Sequence, residues 1–312
     1  NIIKRRRRVM GDVKKICYYV NGEFKESKSG EYRDAFDPST GRVIAKVPCC
    51  TKEEVEEAIA SAKAAFPAWS STPVLKRVQI LYRLRDLLIE HMDELTHLVA
   101  LENGKAWEEA KGDVLKAKEG TEQAISAPSL MMGESMMDAS LGYDTVLYRE
   151  PLGVFAGIVP FNFPAMIPMG WMTPMCIACG NTIVLKAASF TPQSCMRIAK
   201  LYKEAGLPDG VINIVTCSRH EAELFLEHPD IKGITFVGST SVGMHIYSTA
   251  AAHGKRVQAL CEAKNHALVL DDAPVKRVAH GASGSGGTGR DCGPAGRGDC
   301  KPGKEVNRRA CL

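Results

Sequence analysis

Apolar residues recur along this chain in two rhythms, and the change between them near residue 150 organises the reading. In the first third the rhythm is helical. Behind Thr51-Lys52-Glu53-Glu54, a capping box, the residues Val55, Ala58, Ile59, Ala62, Ala65 and Phe66 fall on one face of a predicted helix. Thr72-Pro73 opens a second, with Val74, Val78, Leu81, Leu84 and Leu88 aligned, and a third is expected from Asp93 to about Glu102. Ahead of them, Tyr18-Tyr19-Val20 followed by Asn21-Gly22 carries a tight-hairpin signal. A second turn, Asp37-Pro38-Ser39-Thr40-Gly41, precedes the strand-like Val43-Ile44-Ala45.

From Pro151 short apolar runs alternate with helical ones. Strands are expected at Val154–Val159, Thr182–Leu185, Val211–Val215, Ile234–Val237 and Ala267–Leu270. Helices are expected after Pro164, over Gln193–Glu204, over Glu221–Glu227 and over Thr240–Ala252. Buried strands at this pitch predict an α/β fold: a Rossmann-like parallel sheet covered on both faces, preceded by a helical segment. Past Val278 the signal collapses. Nine glycines lie between Gly281 and Gly303, with no Val, Ile, Leu or aromatic among them, so the segment cannot offset its ordering entropy by burial. Three parts are therefore expected: a basic 1–17, a folded 18–275, and a Gly-rich 279–312 outside the fold.

Charge changes this picture little. The net +4 of the 312 residues is made by the ends. Lys4 to Arg8 supply five positives, residues 276–312 carry an excess of five more, and about −6 remains for 11–275. A basic run can bind nucleic acid or a membrane surface, but the body offers no nucleic-acid surface, and Met10 can serve as a start. No stretch approaches the roughly 20 apolar residues of a membrane span, and no secretory signal is visible. Eleven cysteines in such a chain point to reduced thiols and a cytoplasmic location. Cys176-Ile-Ala-Cys179 has metal or redox spacing but lacks a second pair, and it reads as buried helix.

Three segments carry candidate chemistry. Val159-Pro160-Phe161-Asn162-Phe163-Pro164 follows the first strand of the sheet, where open α/β folds bind ligands. Asn162 there offers a neutral amide donor on a stiff turn, suited to an oxyanion, or else makes local turn bonds. Gly180-Asn181-Thr182-Ile183-Val184-Leu185-Lys186 places a lysine straight after a strand, where it can hold a ribose hydroxyl or a phosphate, or simply reach solvent. Phe236-Val237-Gly238-Ser239-Thr240 is strand, glycine turn and helix start, whose free amides suit a phosphate unless Ser239 only caps the helix. Gly284-Ser285-Gly286-Gly287-Thr288-Gly289 matches a dinucleotide fingerprint, yet no strand precedes it and no helix follows, so it reads as composition.

Taken together, these segments resemble the aldehyde dehydrogenases over about residues 18–275. Within that family the chain is similar to the coenzyme-A-acylating methylmalonate-semialdehyde dehydrogenases. The resemblance is carried by Phe66-Pro67-Ala68-Trp69, Ser129-Leu130-Met131-Met132-Gly133-Glu134, Asn162 to Pro168, His228-Pro229-Asp230-Ile231-Lys232, His253 to Ala259, and Ala263-Lys264-Asn265-His266. It implies NAD as hydride acceptor, a cysteine that takes the aldehyde, coenzyme A as acyl acceptor, a small-molecule aldehyde substrate and a homo-oligomer. By the same resemblance Asn162 is the oxyanion donor, Val159 and Phe161 line the cofactor cleft, Lys186 holds the ribose, Gly238 and Ser239 meet the pyrophosphate, and Ser189 adds one ribose hydrogen bond. Lys116 would meet the substrate carboxylate.

The chain also departs from the family. Leu260 stands where the base for hydrolysis usually is, which fits transfer to coenzyme A. Glu262 falls where a glycine is usual and is expected to be a solvent-facing charge. Ser189 and Phe190 replace a glutamate and an arginine, and Lys116 replaces an arginine, keeping its charge but losing its fork. About thirty residues beyond Lys264, where the nucleophile is expected, stand Pro294 and Ala295. Cys292 and Cys300 are near only in number. A frameshift or truncation near Val278 is the expectation, leaving this chain without turnover on its own.

Overall fold

In a computed structural model the protein is described over residues 13–262, 268–275 and 278. The basic residues 1–10, the 263–266 segment, the Gly-rich stretch, Cys292 and Cys300 lie outside the described residues. The elements run β1 (Lys14–Lys15), β2 (Tyr18–Val20), β3 (Glu23–Lys25), β4 (Tyr32–Asp37), β5 (Arg42–Pro48), α1 (Lys52–Ser70), α2 (Val74–Glu90), α3 (Met92–Asn103), α4 (Trp107–Ile125), α5 (Ala127–Leu130), β6 (Glu134–Ser140) and β7 (Tyr143–Leu147). There follow β8 (Val154–Ile158), a π-helical turn (Ile167–Met172), α6 (Thr173–Ala178), β9 (Thr182–Lys186), α7 (Gln193–Glu204), β10 (Ile212–Val215), α8 (Arg219–Glu227), β11 (Ile231–Val237), α9 (Thr240–Ala252) and β12 (Arg256–Leu260).

The main sheet has seven strands in the order β12-β11-β8-β9-β10-β2-β3. From β12 to β10 all neighbours are parallel, and the β2–β3 hairpin adds an antiparallel edge. Strand alternation separates two cores. Ile183, Leu185, Ile212 and Ile214 pack on one side with α2, α4, α6 and α7. Val154, Ala156, Val184, Ile234 and Phe236 pack on the other with α1, α8 and α9. A parallel sheet covered on both faces is what the near-continuous apolar strands require.

Local chemistry explains the joints. Asn21 and Gly22 both have positive φ, 50° and 76°, as a twisted two-residue hairpin needs. A Cβ at Gly22 would also strike the Asp209 carboxylate. Thr51 and Glu54 form the expected capping box, and Ser218 with Glu221 forms another.

Three features differ from expectation. The helix after Pro164 starts with a π turn, in which the Thr173 N–H and hydroxyl both turn to the Pro168 carbonyl. Proline at 168 and 174 removes two amide donors, so the ladder is re-satisfied one residue further back. β12 appears at Arg256–Leu260, where alternating exposed Arg256, Gln258 and Leu260 on an edge strand mask the apolar signal. The expected strand at 267–270 does not form over its described residues. Leu268, Val269 and Leu270 are exposed and pair with no strand, so they lack the ladder that defines one. The elements not anticipated include β1, β4, α4, α5 and the β6–β7 hairpin, every residue of which is exposed.

Candidate functional site

Chain order fixes where the parallel sheet can bind. β8, β9 and β10 run outward to one side, and the chain then returns to lay β11 and β12 on the other side of β8. The reversal leaves a crevice at the carboxyl ends of β8 and β11, the topological switch point at which such sheets take ligands. These two strands are direct parallel neighbours, with Ile158 opposite Phe236. The turn with Val159, Phe161 and Asn162 leaves the first strand here, and Gly238 with Ser239 leaves the second. Lys186 ends β9 next door, opposite Ile158, and Val159 N donates to the Lys186 carbonyl at 3.3 Å.

Each group has a distinct setting. Asn162 is half-buried, and its Oδ1 is buried with no hydrogen-bond partner among the described residues. Val159 is buried, while Phe161 is half-buried and meets the exposed Phe190 edge-on, ring centroids 6.0 Å apart. Ser189 is half-buried in the loop after β9. Gly238 N donates to the Leu260 carbonyl at 3.1 Å, and a Cβ at Gly238 would come 2.5 Å from the Phe236 ring. Any larger residue there would force that ring to shift. Ser239 precedes α9 with extended backbone, but its side chain makes no capping hydrogen bond, so the first-turn amides keep their free donors. Glu262, exposed as expected, accepts from Thr240 Oγ1 at 3.4 Å.

A cavity of about 180 Å³ opens beside the crevice, lined by Trp171, Met172, Thr235, Val237, Gln258 and Leu260. Its wall holds no carboxylate; the polar pair is Thr235 Oγ1 to Gln258 Oε1, 3.0 Å. A larger groove of about 530 Å³, with Glu56, Lys63, His228 and Asp230, lies at the amino-terminal end of β11, away from the strand ends that bind ligands. Its lysine is already paired with Asp230 at 2.8 Å.

Lys116 is not drawn into this group by any bond. It stands exposed on α4 and pairs with Glu119 at 2.6 Å. Two buried cysteines near the sheet, Cys217 and Cys50, are poor nucleophiles. Burial pushes the Cys217 thiol up to about 12 against the opposing charge of Lys186, and Cys50 to about 12 as well. Cys176 and Cys179 end α6, both raised by burial, and no metal-holding group occurs among the described residues.

Three residues outside the motifs, Asn103, Asp113 and Thr191, hold the turn after β8, and Asn181 of the second motif segment holds the entry to that strand. Asn103 Nδ2 and Thr191 Oγ1 both donate to the Phe161 carbonyl, at 2.8 and 3.2 Å. Asp113 Oδ1 accepts from Met166 N at 2.7 Å, and Asn181 Oδ1 accepts from Leu152 N and Gly153 N at 2.7 and 3.1 Å, fixing the entry to β8.

A family model described as the aldehyde dehydrogenase family matches residues 24–297. The chain belongs to the aldehyde dehydrogenase family. The match runs on past Val278 into the segment that composition sets apart. Malonate-semialdehyde dehydrogenase 2 of Geobacillus kaustophilus is 50% identical over 279 residues, which are 88% of this chain and 57% of that protein. Among solved structures, a methylmalonate-semialdehyde dehydrogenase from Oceanimonas doudoroffii superposes with a TM-score of 0.78 at 41% identity, over 81% of this chain and 51% of that one. A Sinorhizobium meliloti 1021 protein, provisionally assigned as a methylmalonate-semialdehyde dehydrogenase and solved with NAD, gives 0.83 at 38%, over 87% and 55%. This aldehyde dehydrogenase chain thus spans 57% of the length of that curated relative.

Proposed function

We propose that this chain forms the NAD-binding part of an acylating semialdehyde dehydrogenase. Its reaction would oxidise methylmalonate or malonate semialdehyde to the acyl-coenzyme A through a cysteine thioester. The observation that carries the reading is the switch-point crevice, which gathers Asn162, Lys186, Gly238 and Ser239 at adjoining strand ends. The fit to a dinucleotide is good on this chain's own terms. The uncapped amides before α9 suit a pyrophosphate, Lys186 with Ser189 suits a ribose, and Val159 with Phe161 offers an apolar wall. When bound, NAD supplies the hydride acceptor. Asn162 would donate its amide N–H to the oxygen of the reacting carbonyl. Lys116 would meet the substrate carboxylate after releasing Glu119.

Leu260 in the cavity wall supports coenzyme A over water as acyl acceptor, because a leucine cannot deprotonate water. Cys261, exposed directly after β12, stands outside the nucleophile segment that the family resemblance places about thirty residues beyond Lys264, so the chain alone is expected to bind NAD without turnover. A second reading, an NAD-binding fragment that associates with a complete subunit in a homo-oligomer, is favoured by the β6–β7 hairpin. A two-stranded sheet exposing Met136, Met137, Leu141 and Tyr143 is marginal without a partner surface.

The test is an assay of the 312-residue chain with methylmalonate semialdehyde, NAD and coenzyme A, alongside an NAD titration. NAD binding without NADH formation is the expected result; steady NADH formation overturns the inactivity, and no NAD binding overturns the crevice.

A further inference from the structure

The turn that carries Asn162 is held by a corner of the helical segment, far from it in sequence. α3 ends at Asn103, Gly104 closes it with φ 79°, and Lys105 leads into α4. Asn103 and Thr191 together occupy the Phe161 carbonyl. Lys105 Nζ sits 3.7 Å from the centroid of the Phe163 ring and 3.0 Å from Asp113 Oδ2. Asp113, wholly buried, passes its other oxygen to Met166 N. Glu102, one residue before Asn103, accepts from Gln193 N at 2.7 Å, from Ser194 N at 3.0 Å and from the Ser194 hydroxyl. It thereby fixes the start of α7 just beyond Thr191.

These contacts fall on residues 161, 163 and 166, on both sides of Asn162. The Asn162 side chain itself has no partner for its buried oxygen among the described residues. No ladder bond of the sheet could do this, because β8 ends at Ile158. A donor that must meet developing charge has to be fixed beforehand by its surroundings. Here the fixing groups come from the α3–α4 corner and from the loop before α7.

We propose that Asn103 and Thr191 are positioning residues, which set the Phe161 backbone so that Phe161 and Asn162 face the crevice. This rests on reading the crevice as the dinucleotide site, and the experiment separates the two. Amide hydrogen exchange over residues 159–169 is measured on the full chain without ligand, and NAD affinity is measured by calorimetry, for wild type, Asn103→Leu, Thr191→Val and Thr191→Ser. Removing a donor to the Phe161 carbonyl is expected to raise exchange over 159–166 and to weaken NAD binding, each by about tenfold. β9 and β10 should keep their protection, and Thr191→Ser, which retains the hydroxyl, should behave as wild type.

The proposal is overturned if exchange over 159–166 is unchanged, if it rises equally across β8 to β11, or if the serine variant is as impaired as the valine. It is also overturned if NAD binds wild type and both donor-deleting variants equally. If the exchange change is local but wild type binds no NAD, the positioning of the turn stands and the dinucleotide reading falls.

Discussion

The two turns that meet in the crevice are built in opposite ways. The one after β8 is tied down: its Phe161 carbonyl takes two side-chain donors, Phe163 lies under an ammonium, and Met166 N ends on a buried carboxylate. The one after β11 is left open: Gly238 makes a single backbone bond across to β12, and Ser239 leaves the α9 amides uncapped. A group that must be aimed requires the first arrangement. A group that must receive an anion requires the second, because donors already satisfied cannot bind one.

Breaking the tied turn should have the largest effect. Asp113→Ala leaves the half-buried Lys105 ammonium and the Met166 amide without their acceptor. By analogy with broken buried ion pairs it should cost about 3–5 kcal/mol in urea unfolding. Next comes a pH effect at the same corner. Burial lifts the Glu102 carboxyl to about 7 from 4.5, although the Ser194 and Gln193 donors oppose it. The folded chain therefore binds the extra proton between those values. Stability should fall as pH rises from about 4.5 to about 7, by roughly 3 kcal/mol. Unfolding curves at the two ends of that window should show the slope in wild type and its flattening in Glu102→Gln.

How much of this contrast could be read in the chain depends on its range. The open turn was legible. Strand, glycine and helix start are consecutive residues, and Phe236 to Thr240 carry the whole signal. Asn162 and Lys186 were legible too, as strand-end residues matching a family pattern. The tied turn was not. Asn103 and Asp113 reach residues 58 and 53 positions away, and nothing local marks them. Asn103-Gly104-Lys105 reads as an ordinary helix exit, and α4, which presents Asp113, escaped notice. In the fold, the apolar strands declared themselves. The edge strand β12 and the β6–β7 hairpin did not, because exposed strands need no apolar period.

Smaller effects sharpen the open side. Gly238→Ala pushes a methyl into the Phe236 ring and should cost about 1–3 kcal/mol of stability, measured by thermal unfolding, with NAD affinity falling alongside. Ser239→Ala should change stability by less than about 0.5 kcal/mol, since no cap bond is lost. Ser218→Ala, which dismantles a true capping box at α8, should cost about 1 kcal/mol in the same assay. Equal losses at the two serines would mean that Ser239 caps α9 and that its amides are not free.

The most direct test of the shared crevice is hydrogen exchange of the whole chain with and without saturating NAD. Added protection is expected in two places at once, over 159–166 and over 238–244, with none in the Glu56–Ala64 helix face. Protection confined to Glu56–Ala64 and His228–Asp230, or protection of only one of the two turns, would contradict it.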